Sequence, residues 1–495
     1  MTIDQLIEFC KPVSLEGSNP ETLGKLCQDS RVVENNDIFI AISGIKSDGH
    51  NHIREAVANG ASVIISEKDV ELESDILHIT VKNTRKLLGP LAQRMVGNPA
   101  KKLVLTGITG TNGKTTVATL VWQVLTKMGY KASLLGTVEK RINQKRFQSK
   151  LTTSDPIELA NDMRQIVDAG STHLIMEVSS HALSQKRVSN LSFAVAAFTN
   201  LSHDHLDYHK SMEEYASAKK MLFNSLDNKS WAITNVDDPK GEWMTNSTPA
   251  KILSFSLKGK GLINASIISS TPDGMVIKVD DTPFHTPLAG DFNAYNVVQA
   301  LLISTALGLD GSKVSEVLGE CYGAPGRLEK VAHPDSIPGV PTIFVDYAHT
   351  PDALENVAST LKNLKSKRDK LIIMFGCGGD RDKKKRPEMA LIAEKYGNRV
   401  VVTSDNPRSE DPLEIIDDIM SGFKKPEQVT VIPDRAEAIK KTISDANQRT
   451  MILIAGKGHE TYQEIQGERI HFDDREHALT TLKQKNGHPE TEEVH

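Results

Sequence analysis

The chain has 495 residues, of which 39% are hydrophobic and 25% charged, and its formal net charge at pH 7 is −5. This composition is ordinary for a globular protein of about two to four domains, and the acidic balance argues against a general nucleic-acid binder. No apolar run approaches the roughly 20 residues of a membrane-spanning helix, and the start does not have the pattern of a secretory signal. The four cysteines, Cys10, Cys27, Cys321 and Cys377, lack metal-ligand spacing, which favours a reducing, cytoplasmic setting.

Residues 1–98 predict a small α/β domain. Residues 37–42 and 61–66 have the pattern of strands, and residues 52–58, followed by a glycine, have the pattern of a helix. The polar triplet Asp29-Ser30-Arg31 precedes the first strand, and its residue types alone favour a solvated turn. The pair Asn98-Pro99 marks the expected boundary to the next domain.

Residues 107–116, Gly-Ile-Thr-Gly-Thr-Asn-Gly-Lys-Thr-Thr, follow a short apolar run and precede a helical pattern. A strand, a glycine-rich loop and a helix in this order are typical of a phosphate-binding loop, in which backbone N–H groups and the helix dipole face an anion. Lys114 would supply charge for the outer phosphates, and Thr115 a hydroxyl for Mg²⁺. The usual pattern has a glycine where this chain has Ile108, and the alternative is a glycine-rich turn with an incidental lysine.

Residues 99–330 contain further polar groups at the ends of predicted elements. Thr152 and Thr153 precede a predicted helix and fit an N-cap. Glu177 lies near the end of the predicted strand 173–178, where an acidic residue of a nucleotide-binding sheet often holds a metal. Residues 231–287 change to short alternating strands, which predicts a β-rich appendage.

The segment 200–209 holds three histidines and two aspartates within seven residues, namely His203, Asp204, His205, Asp207 and His209. Zinc is one interpretation, but the spacing is not that of a tetrahedral site and no cysteine is near. One or two of these residues on Mg²⁺ or on a phosphate is the favoured interpretation. In the helical pattern that follows, residue type alone would leave Lys219 and Lys220 in solvent.

Residues 331–495 alternate five strand-like runs with helical ones, which predicts a Rossmann-like parallel sheet with helices on its faces. Ligands bind beyond the carboxyl ends of strands in such sheets. Four polar clusters follow the predicted strands at residues 346–349, 376–381, 404–408 and 455–460. We therefore expect a shared binding site at this edge, and a disordered tail after about residue 483.

A phosphate-binding loop together with a second ligand-binding sheet suggests that two substrates are joined. The product could be a phosphorylated acceptor, or a carboxylate could be activated as an acyl phosphate and captured by an amine. A carboxylate repels nucleophiles because of its charge, and phosphorylation removes that charge and provides a leaving group. Cations such as Lys114 and Mg²⁺ would be needed to bring the two anions together.

Seven motifs, read together, resemble the Mur ligase family. The resemblance extends from about residue 29 to residue 474 and implies three α/β domains: a small N-terminal one, a central P-loop ATPase-like one and a C-terminal Rossmann-like one. The motifs are Gly-Thr-Asn-Gly-Lys-Thr-Thr (110–116), Met-Glu-Val-Ser-Ser-His (176–181), Asn-Leu-Ser-His-Asp-His-Leu-Asp-Tyr-His (200–209), Asp-Phe-Asn-Ala-Tyr-Asn (291–296), Pro-Gly-Arg-Leu-Glu (325–329), Asp-Tyr-Ala-His-Thr-Pro-Asp (346–352) and Ala-Gly-Lys-Gly-His-Glu (455–460).

The resemblance implies an ATP-dependent amide ligase of peptidoglycan precursor synthesis. ATP would phosphorylate the D-Glu γ-carboxylate of UDP-MurNAc-L-Ala-D-Glu, and the amine of a diamino acid would attack the acyl phosphate. The segment Asp405-Asn406-Pro407-Arg408 is similar to that of members that add meso-diaminopimelate. This similarity implies that Arg408 binds the distal carboxylate, which L-lysine lacks. The expected protein is a cytoplasmic monomer with small-molecule partners, no nucleic acid and no membrane span.

The resemblance also assigns residues to sites. Lys114, His205 and Lys219 would be catalytic, and Lys219 would be carbamylated by CO₂, since the resulting anion can position a second Mg²⁺ where a cation would repel it. Metal ligands would be Thr115, Glu177, His205 and Lys219. ATP contacts would be Gly110, Thr111, Asn112, Gly113, Lys114, Thr115, Thr116, Asn296, Arg327 and Asp346. Contacts to UDP-MurNAc-dipeptide would be Ser30, Thr152, Thr153, Ser179 and Arg187, and contacts to the amino acid Arg381, Asp405, Asn406, Pro407, Arg408, Gly456 and Glu460.

Two departures and several alternatives accompany the resemblance. Leu151 stands where the family often has Asn before the paired threonines, and the following proline is shifted to Pro156. The alternatives are the same ligase acting on L-lysine, a folylpolyglutamate synthetase-like ligase, which would not be expected to carry the Asp405–Arg408 segment, and a non-catalytic nucleotide-binding protein.

Overall fold

A computed structural model describes residues 1–44, 47–206, 208–331 and 339–485. They form two compact units, Met1–Asn264 with Val298–Val317, and Ala265–Val297 with the described residues from Leu318 onward. Both units are of the α/β class, which confirms the predicted class. Within the described residues, none of the helices combines the length and apolar character needed to cross a membrane. The domain boundaries near residues 98 and 330 stay predictions.

The first unit opens with a small sheet in the order β1-β5-β4-β3-β2, parallel except for β1. The two strands and the helix that the sequence predicts for residues 1–98 all form, as β3, β4 and α2. The elements are α1 (Ile3–Cys10), β1 (Ser14–Glu16), β2 (Leu26–Cys27), β3 (Ile38–Ile40), α2 (Ile53–Ala58), β4 (Val63–Ser66), β5 (Leu77–Thr80) and α3 (Thr84–Met95).

A second, larger sheet of the first unit carries the glycine-rich loop. Its elements are β6 (Val104–Thr109), α4 (Lys114–Lys127), β7 (Ala132–Leu135), β8 (Glu139–Ile142), β9 (Lys145–Gln148), α5 (Pro156–Asp168), β10 (His173–Glu177), α6 (Ser180–Ser184), β11 (Phe193–Phe198), α7 (Met212–Asn224), β12 (Trp231–Asn235), α8 (Gly241–Thr245) and β13 (Lys251–Ser256). The order is β13-β12-β11-β6-β10-β7-β8-β9, with parallel pairing from β13 to β7.

The register of the central strands aligns their carboxyl ends. Ile108 on β6 pairs with Glu177 on β10, and Thr109 pairs with Phe198 on β11. The loop after β6, the last residue of β10 and the loop after β11 therefore emerge at one edge of the sheet. That edge holds the residues from which a phosphate site would be built.

The expected β-rich appendage is shorter than predicted. Strands β12 and β13 pair in parallel and continue the central sheet, because a crossover that contains the short helix α8 connects them. Within residues 231–287, only β14 (Ile263–Thr271), β15 (Gly274–Val279) and β16 (Thr282–Thr286) form antiparallel pairs. The alternating pattern was therefore interpreted correctly for residues 263–286 and wrongly for residues 231–256.

The chain continues through α9 (Asp291–Ala306) and α10 (Gly311–Leu318) to the C-terminal sheet. That sheet has six strands in the order β17-β18-β22-β19-β20-β21, parallel except at β17. All five predicted strands form. The elements are β17 (Glu329–Lys330), β18 (Thr342–Asp346), α11 (Pro351–Leu364), β19 (Lys370–Phe375), α12 (Lys385–Tyr396), β20 (Arg399–Val402), α13 (Pro412–Met420), β21 (Thr430–Val431), α14 (Arg435–Asp445), β22 (Thr450–Ala455), β23 (Tyr462–Ile465), β24 (Glu468–His471) and α15 (Asp474–Lys485).

Helix α15 extends past the point where the disordered tail was expected to begin, and residues 486–495 lie outside the described residues. Apolar clusters cover both faces of the C-terminal sheet, as helices on both sides require. The strands of this sheet consequently read as nearly continuous apolar runs, which made them easy to predict.

A fully buried ion pair lies beside this core. Arg435 begins α14 and donates to both carboxylate oxygens of Asp474 at 2.7 and 2.8 Å, and neither side chain is exposed to solvent. The guanidinium also donates to the carbonyl oxygens of Ser404 and Ala455, both at 3.1 Å. Ser404 and Ala455 are the first residues of two of the polar clusters at the sheet edge, 404–408 and 455–460.

We expect Asp474→Ala to lower the free energy of unfolding by about 3–5 kcal/mol, because it leaves the Arg435 guanidinium buried without a counter-ion. Denaturant unfolding of the intact chain measures the change. The matched control is Glu355→Ala, which removes the exposed pair with Lys395 and should change unfolding very little. Equal losses in the two variants would contradict the structural importance of the buried pair.

Candidate active site

The loop after β6 adopts a conformation that only glycine tolerates at its first turn. Gly110 has φ of +149°, and a Cβ there would lie 1.8 Å from the Thr199 hydroxyl oxygen. Gly113 has φ of +85° and immediately precedes α4. The backbone thus turns sharply into the helix amino terminus, as a loop that cradles phosphate requires.

The loop is held by the end of β11 and by its own lysine. Thr199 donates its hydroxyl hydrogen to the Asn112 carbonyl at 2.6 Å, and the Asn112 N–H donates to the Asn200 side-chain oxygen at 2.9 Å. Lys114 Nζ donates to the carbonyl oxygens of Gly110 at 2.9 Å and Thr111 at 2.7 Å. The lysine therefore lies over the loop, where it could meet the outer phosphates of a nucleotide.

Thr115 and Glu177 meet, as the metal prediction requires. The Thr115 hydroxyl donates to Glu177 Oε2 at 3.0 Å. Thr137 binds the same buried carboxylate twice, through its N–H at 2.7 Å and its hydroxyl at 3.0 Å. A hydroxyl beside a carboxylate at a helix amino terminus is an oxygen donor set that suits Mg²⁺, which usually takes only one or two protein ligands.

Lys219 is buried, contrary to what its residue type alone suggests. Its Nζ donates to the Gly110 carbonyl oxygen at 2.8 Å and lies 4.3 Å from the centre of the Tyr215 ring. Burial, reinforced by the nearby Lys114 charge, lowers the pKa of Lys219 well below its usual value. A lowered pKa favours the neutral amine, which is the form of lysine that reacts with CO₂.

His205 lies in a group of aromatic rings near the same edge. Its ring centre is 4.9 Å from that of His181 and 6.0 Å from that of Tyr215, which also contacts Lys219. The backbone at His205 has φ of +53°. The neighbouring Asp207 lies outside the described residues, and the described residues contain no group of three or more His, Cys, Asp or Glu side chains arranged to hold a metal.

Four residues assigned to the UDP-MurNAc-dipeptide lie together next to Glu177. Thr153 donates its hydroxyl hydrogen to the Glu177 carbonyl at 2.9 Å and accepts the Ser179 N–H at 3.1 Å. Arg187 donates to the Thr153 carbonyl at 2.8 Å, and the hydroxyl oxygens of Thr152 and Thr137 lie 3.0 Å apart. Asp155, rather than either threonine, caps α5, so the N-cap interpretation of the two threonines is wrong.

Ser30, assigned to the uridine diphosphate, lies in a 3₁₀ turn (Ser30–Val32) near the small sheet. The side chain is buried, and its hydroxyl donates to the Glu55 carboxylate on α2 at 2.6 Å. The expectation of a solvated turn is therefore wrong for this residue, because the carboxylate of α2 holds the hydroxyl against the domain.

In the second unit, Asp346 and Arg327 are neighbours. Asp346 ends β18 and accepts the N–H groups of Leu328 and Ala348 at 2.6 and 2.8 Å. Burial raises the pKa of its carboxyl to about 6. The Arg327 guanidinium lies 4.9 Å from the centre of the Tyr347 ring, and its buried Nε has no hydrogen-bond partner among the described residues. Asn296 is buried in α9, where its amide donates to Asn293 at 3.0 Å.

The loops after β20 and β22 bring the predicted amino-acid ligands together. The Asn406 amide nitrogen donates to Glu460 at 2.8 Å, and its oxygen accepts from Lys457 Nζ at 3.0 Å. A Cβ on Gly456 would lie 2.4 Å from a carboxylate oxygen of Asp405. Burial and the nearby Asp405 charge raise the pKa of Glu460.

Arg408 and Arg381 lie on adjacent loops of the same edge. Arg408 has φ of +54°, and its Nη1 donates to the Gly379 carbonyl at 2.6 Å. Pro407 is buried, and Arg381 is exposed at the end of the Gly376–Asp380 loop. Guanidinium groups on one side and Glu460 on the other can bind a carboxylate and an ammonium of one small ligand.

Three residues that shape the site were missed from the sequence. Thr137 fixes the Glu177 carboxylate, Lys457 orients Asn406 and Glu460, and Tyr347 supports Arg327. Lys457 and Tyr347 stand inside motifs quoted above, so their position in a motif was the available signal. Thr137 follows a short apolar run and carries no comparable signal.

Comparison with known proteins supplies the family. Models of three domains match in chain order: the Mur ligase family catalytic domain at residues 25–95, the Mur ligase middle domain at 108–304 and the Mur ligase glutamate ligase domain at 326–458. These matches include residues 110–116 of the phosphate loop, Glu177, Lys219 and, in the C-terminal sheet, the loops that carry Arg381 and Arg408.

Relatives of known name are similar along almost the whole chain. A UDP-N-acetylmuramoyl-L-alanyl-D-glutamate--2,6-diaminopimelate ligase from Cytophaga hutchinsonii is 43% identical over 479 residues, which are 96% of this chain and 98% of the relative. The protein of the same name from Bacillus licheniformis is 39% identical over 493 residues, covering 97% and 99% of the two chains.

A solved structure of a ligase with that name superimposes with a TM-score of 0.71 at 33% identity, covering 98% of this chain and 100% of the other. A UDP-N-acetylmuramoylalanyl-D-glutamyl-2,6-diaminopimelate--D-alanyl-D-alanyl ligase from Acinetobacter baumannii shares the fold, with a TM-score of 0.62 at 20% identity over 92% and 95% of the chains. With the family models matched in order and close relatives aligned from end to end, the chain belongs to the Mur ligase family.

Proposed function

We propose that this protein is an ATP-dependent ligase that joins meso-diaminopimelate to UDP-MurNAc-L-Ala-D-Glu in peptidoglycan precursor synthesis. The observation that carries the proposal is the edge of the C-terminal sheet, where Arg408 and Glu460 lie on neighbouring loops. An amino acid whose far end bears both a carboxylate and an ammonium matches this pair, whereas the far end of L-lysine has no group for the guanidinium.

The reaction begins when an oxygen of the D-Glu γ-carboxylate bonds to the γ-phosphorus of ATP and ADP leaves. The amine of the diamino acid then attacks the acyl carbon, loses a proton and expels inorganic phosphate, which leaves an amide. Lys114 neutralises charge on the transferred phosphoryl group, and the backbone N–H groups of the loop orient the phosphates. Gly110, Thr111, Asn112, Gly113, Lys114, Thr115 and Thr116 are the proposed contacts of the loop with ATP.

Thr115, Glu177, His205 and Lys219 are the proposed residues for Mg²⁺, whose charge would offset the repulsion between carboxylate and phosphates. The Thr115–Glu177 contact fits this role through its oxygen donors. Asn296, Arg327 and Asp346 are proposed as further ATP contacts. The buried Nε of Arg327, which has no hydrogen-bond partner among the described residues, supports its role as a donor to a bound anion.

Lys219 is proposed to carry a carbamate. Its burial and the nearby Lys114 charge favour the neutral, nucleophilic amine, and the product anion would offset the Lys114 charge at the same loop. Ser30, Thr152, Thr153, Ser179 and Arg187 are proposed to bind the UDP-MurNAc-dipeptide. The contacts that join Thr153, Ser179 and Arg187 into one cluster support this assignment.

Arg381, Asp405, Asn406, Pro407, Arg408, Gly456 and Glu460 are proposed to bind meso-diaminopimelate. The protein is proposed to work in the cytoplasm as a monomer, with small molecules as its partners.

Phosphate release by the purified protein tests the proposed function directly. We expect inorganic phosphate to appear only when ATP, UDP-MurNAc-L-Ala-D-Glu and meso-diaminopimelate are all present, because the acyl phosphate needs an amine to complete the reaction. A coupled phosphate assay with each component omitted in turn measures this. Phosphate release that does not depend on UDP-MurNAc-L-Ala-D-Glu would contradict the proposal.

Substitution of Arg408 tests the amino-acid assignment. We expect Arg408→Ala to lower kcat/KM for meso-diaminopimelate about 100-fold, since a lost charge-assisted pair costs about 2–3 kcal/mol. The already low activity with L-lysine should change little. Arg408→Lys is the control, because it keeps the charge and loses the planar fork, and it should recover only part of the activity. Equal use of both amino acids by the unmodified protein would rule out the role of Arg408.

Substitution of Lys219 tests the carbamate. We expect Lys219→Ala to lose nearly all turnover, whereas Lys220→Ala, next to it on α7, should keep it, because Lys220 Nζ donates to the Trp243 carbonyl instead. Unmodified protein stripped of CO₂ at low pH should regain turnover with bicarbonate. A ¹³C-bicarbonate NMR signal that persists in the Lys219→Ala variant would show that the carbamate lies elsewhere.

A further inference from the structure

The two loops that carry Arg381 and Arg408 are packed against each other. The Gly379 N–H donates to the Asn406 carbonyl at 2.9 Å, and Arg408 Nη1 donates back to the Gly379 carbonyl at 2.6 Å. A Cβ on Gly379 would lie 1.9 Å from the Pro407 carbonyl oxygen. The spacing of the two guanidinium groups therefore depends on how these two loops are held together.

A buried arginine that is not among the proposed substrate-binding residues lies beneath both loops. Arg386, on α12, is completely buried and donates through Nη1 and Nη2 to the two carboxylate oxygens of Glu410 at 3.0 and 2.9 Å. Nη1 also donates to Asp418 on α13 at 2.8 Å. The pair with Glu410 is bidentate, a geometry that fixes direction as well as distance.

Glu410 links the loop of Arg408 to the loop of Arg381. It stands two residues after Arg408, and its Oε1 accepts the N–H of Asp380 at 2.6 Å. Asp380, which directly precedes Arg381, in turn accepts the N–H and the hydroxyl of Ser409 at 3.2 and 2.6 Å. Each loop thus contributes one carboxylate that accepts hydrogen bonds from the other loop.

We propose that the Arg386–Glu410 pair is the positioning device that sets the separation of Arg381 and Arg408, and so makes the protein selective for an amino acid with a distal carboxylate. This inference rests on the proposed function, because it takes those two arginines to hold the amino acid. Arg386 and Glu410 act through the loops and are not themselves in contact with the substrate.

The physical reason is the sensitivity of guanidinium–carboxylate recognition to position. A guanidinium forms a bidentate pair with a carboxylate only if its loop holds it to within a fraction of an ångström, and a displacement of about 1 Å can cost 100-fold in rate. Arg386 holds the pKa of Glu410 at about 2, so the carboxylate stays ionised and keeps its bonds throughout the neutral range. Positioning of this kind affects binding of the amino acid more than the chemical step.

The chain offers a matched control. Glu410 and Asp418 each bind Arg386, but Asp418 lies on α13 and is half-exposed, whereas Glu410 alone also binds the backbone of Asp380. Glu410→Gln and Asp418→Asn therefore remove the same charge from the same arginine. Only the first removes charge from the contact between the two loops.

The experiment measures steady-state kinetics of the full-length protein with meso-diaminopimelate and with L-lysine. For Glu410→Gln we expect KM for meso-diaminopimelate to rise about tenfold and the preference over L-lysine to fall by a similar factor, with kcat changed less than twofold. KM values for ATP and for UDP-MurNAc-L-Ala-D-Glu should not change. Asp418→Asn should match the unmodified protein in all of these values.

Thermal unfolding of both variants separates positioning from loss of fold. If Glu410→Gln does not fold, Glu410→Asp replaces it, since the shorter side chain keeps the charge but cannot span the same gap, and the same rise in KM is expected. An unchanged KM and preference in the folded variant would overturn the inference. A fall in kcat with every KM unchanged would overturn it too.

Failure of the proposed function would look different. If the unmodified protein does not use meso-diaminopimelate at all, the substrate assignment is wrong and the inference falls with it. If the unmodified protein prefers meso-diaminopimelate and Arg408→Ala abolishes that preference while Glu410→Gln leaves it intact, the substrate assignment stands and only the positioning role is wrong.

Discussion

Parallel pairing of strands is the constraint on which both candidate sites depend. In the first unit, β10 and β11 flank β6 in register, so that Glu177, Thr199 and Gly110 emerge at one edge. In the second unit, β19, β20 and β22 do the same for the loops that carry Arg381, Arg408 and Glu460. The carboxyl ends of parallel strands lie at the same edge of a sheet, and each candidate site is built from short loops at such an edge.

Basic side chains then define what each edge can accept. Lys114 and Lys219 both donate to the Gly110 carbonyl oxygen, so two amines lie at one loop that also presents a helix amino terminus. This concentration of donors favours an anion. At the other edge, Arg408 and Lys457 are interleaved with Asp405 and Glu460, which favours a ligand that carries both signs of charge.

Much of this arrangement was predictable from the sequence. The parts that were not predictable depend on contacts between segments that lie far apart in the chain. The strands of the C-terminal sheet and the loop at Gly110 have strong local patterns, and the polar clusters follow directly from the positions of the strand ends. Strands β12 and β13 were misjudged because a short strand pattern does not reveal the direction of the neighbouring strands. Arg386 and Arg435 were missed because a single arginine on a helix normally points to solvent, and only the packed structure shows that each one is buried against a carboxylate.

The buried Arg435 has a consequence for attempts to redesign this protein. Its guanidinium donates to Ser404 and Ala455, the residues just before Asp405 and Gly456, and its counter-ion Asp474 begins the last described helix. The four-residue motif at 405–408 therefore cannot be transferred to another protein by itself. A chimaera that receives this motif alone would have its side chains but would lack Arg435, which binds the residues at the start of both loops. The smallest exchangeable block is the set of loops together with α14 and the amino terminus of α15.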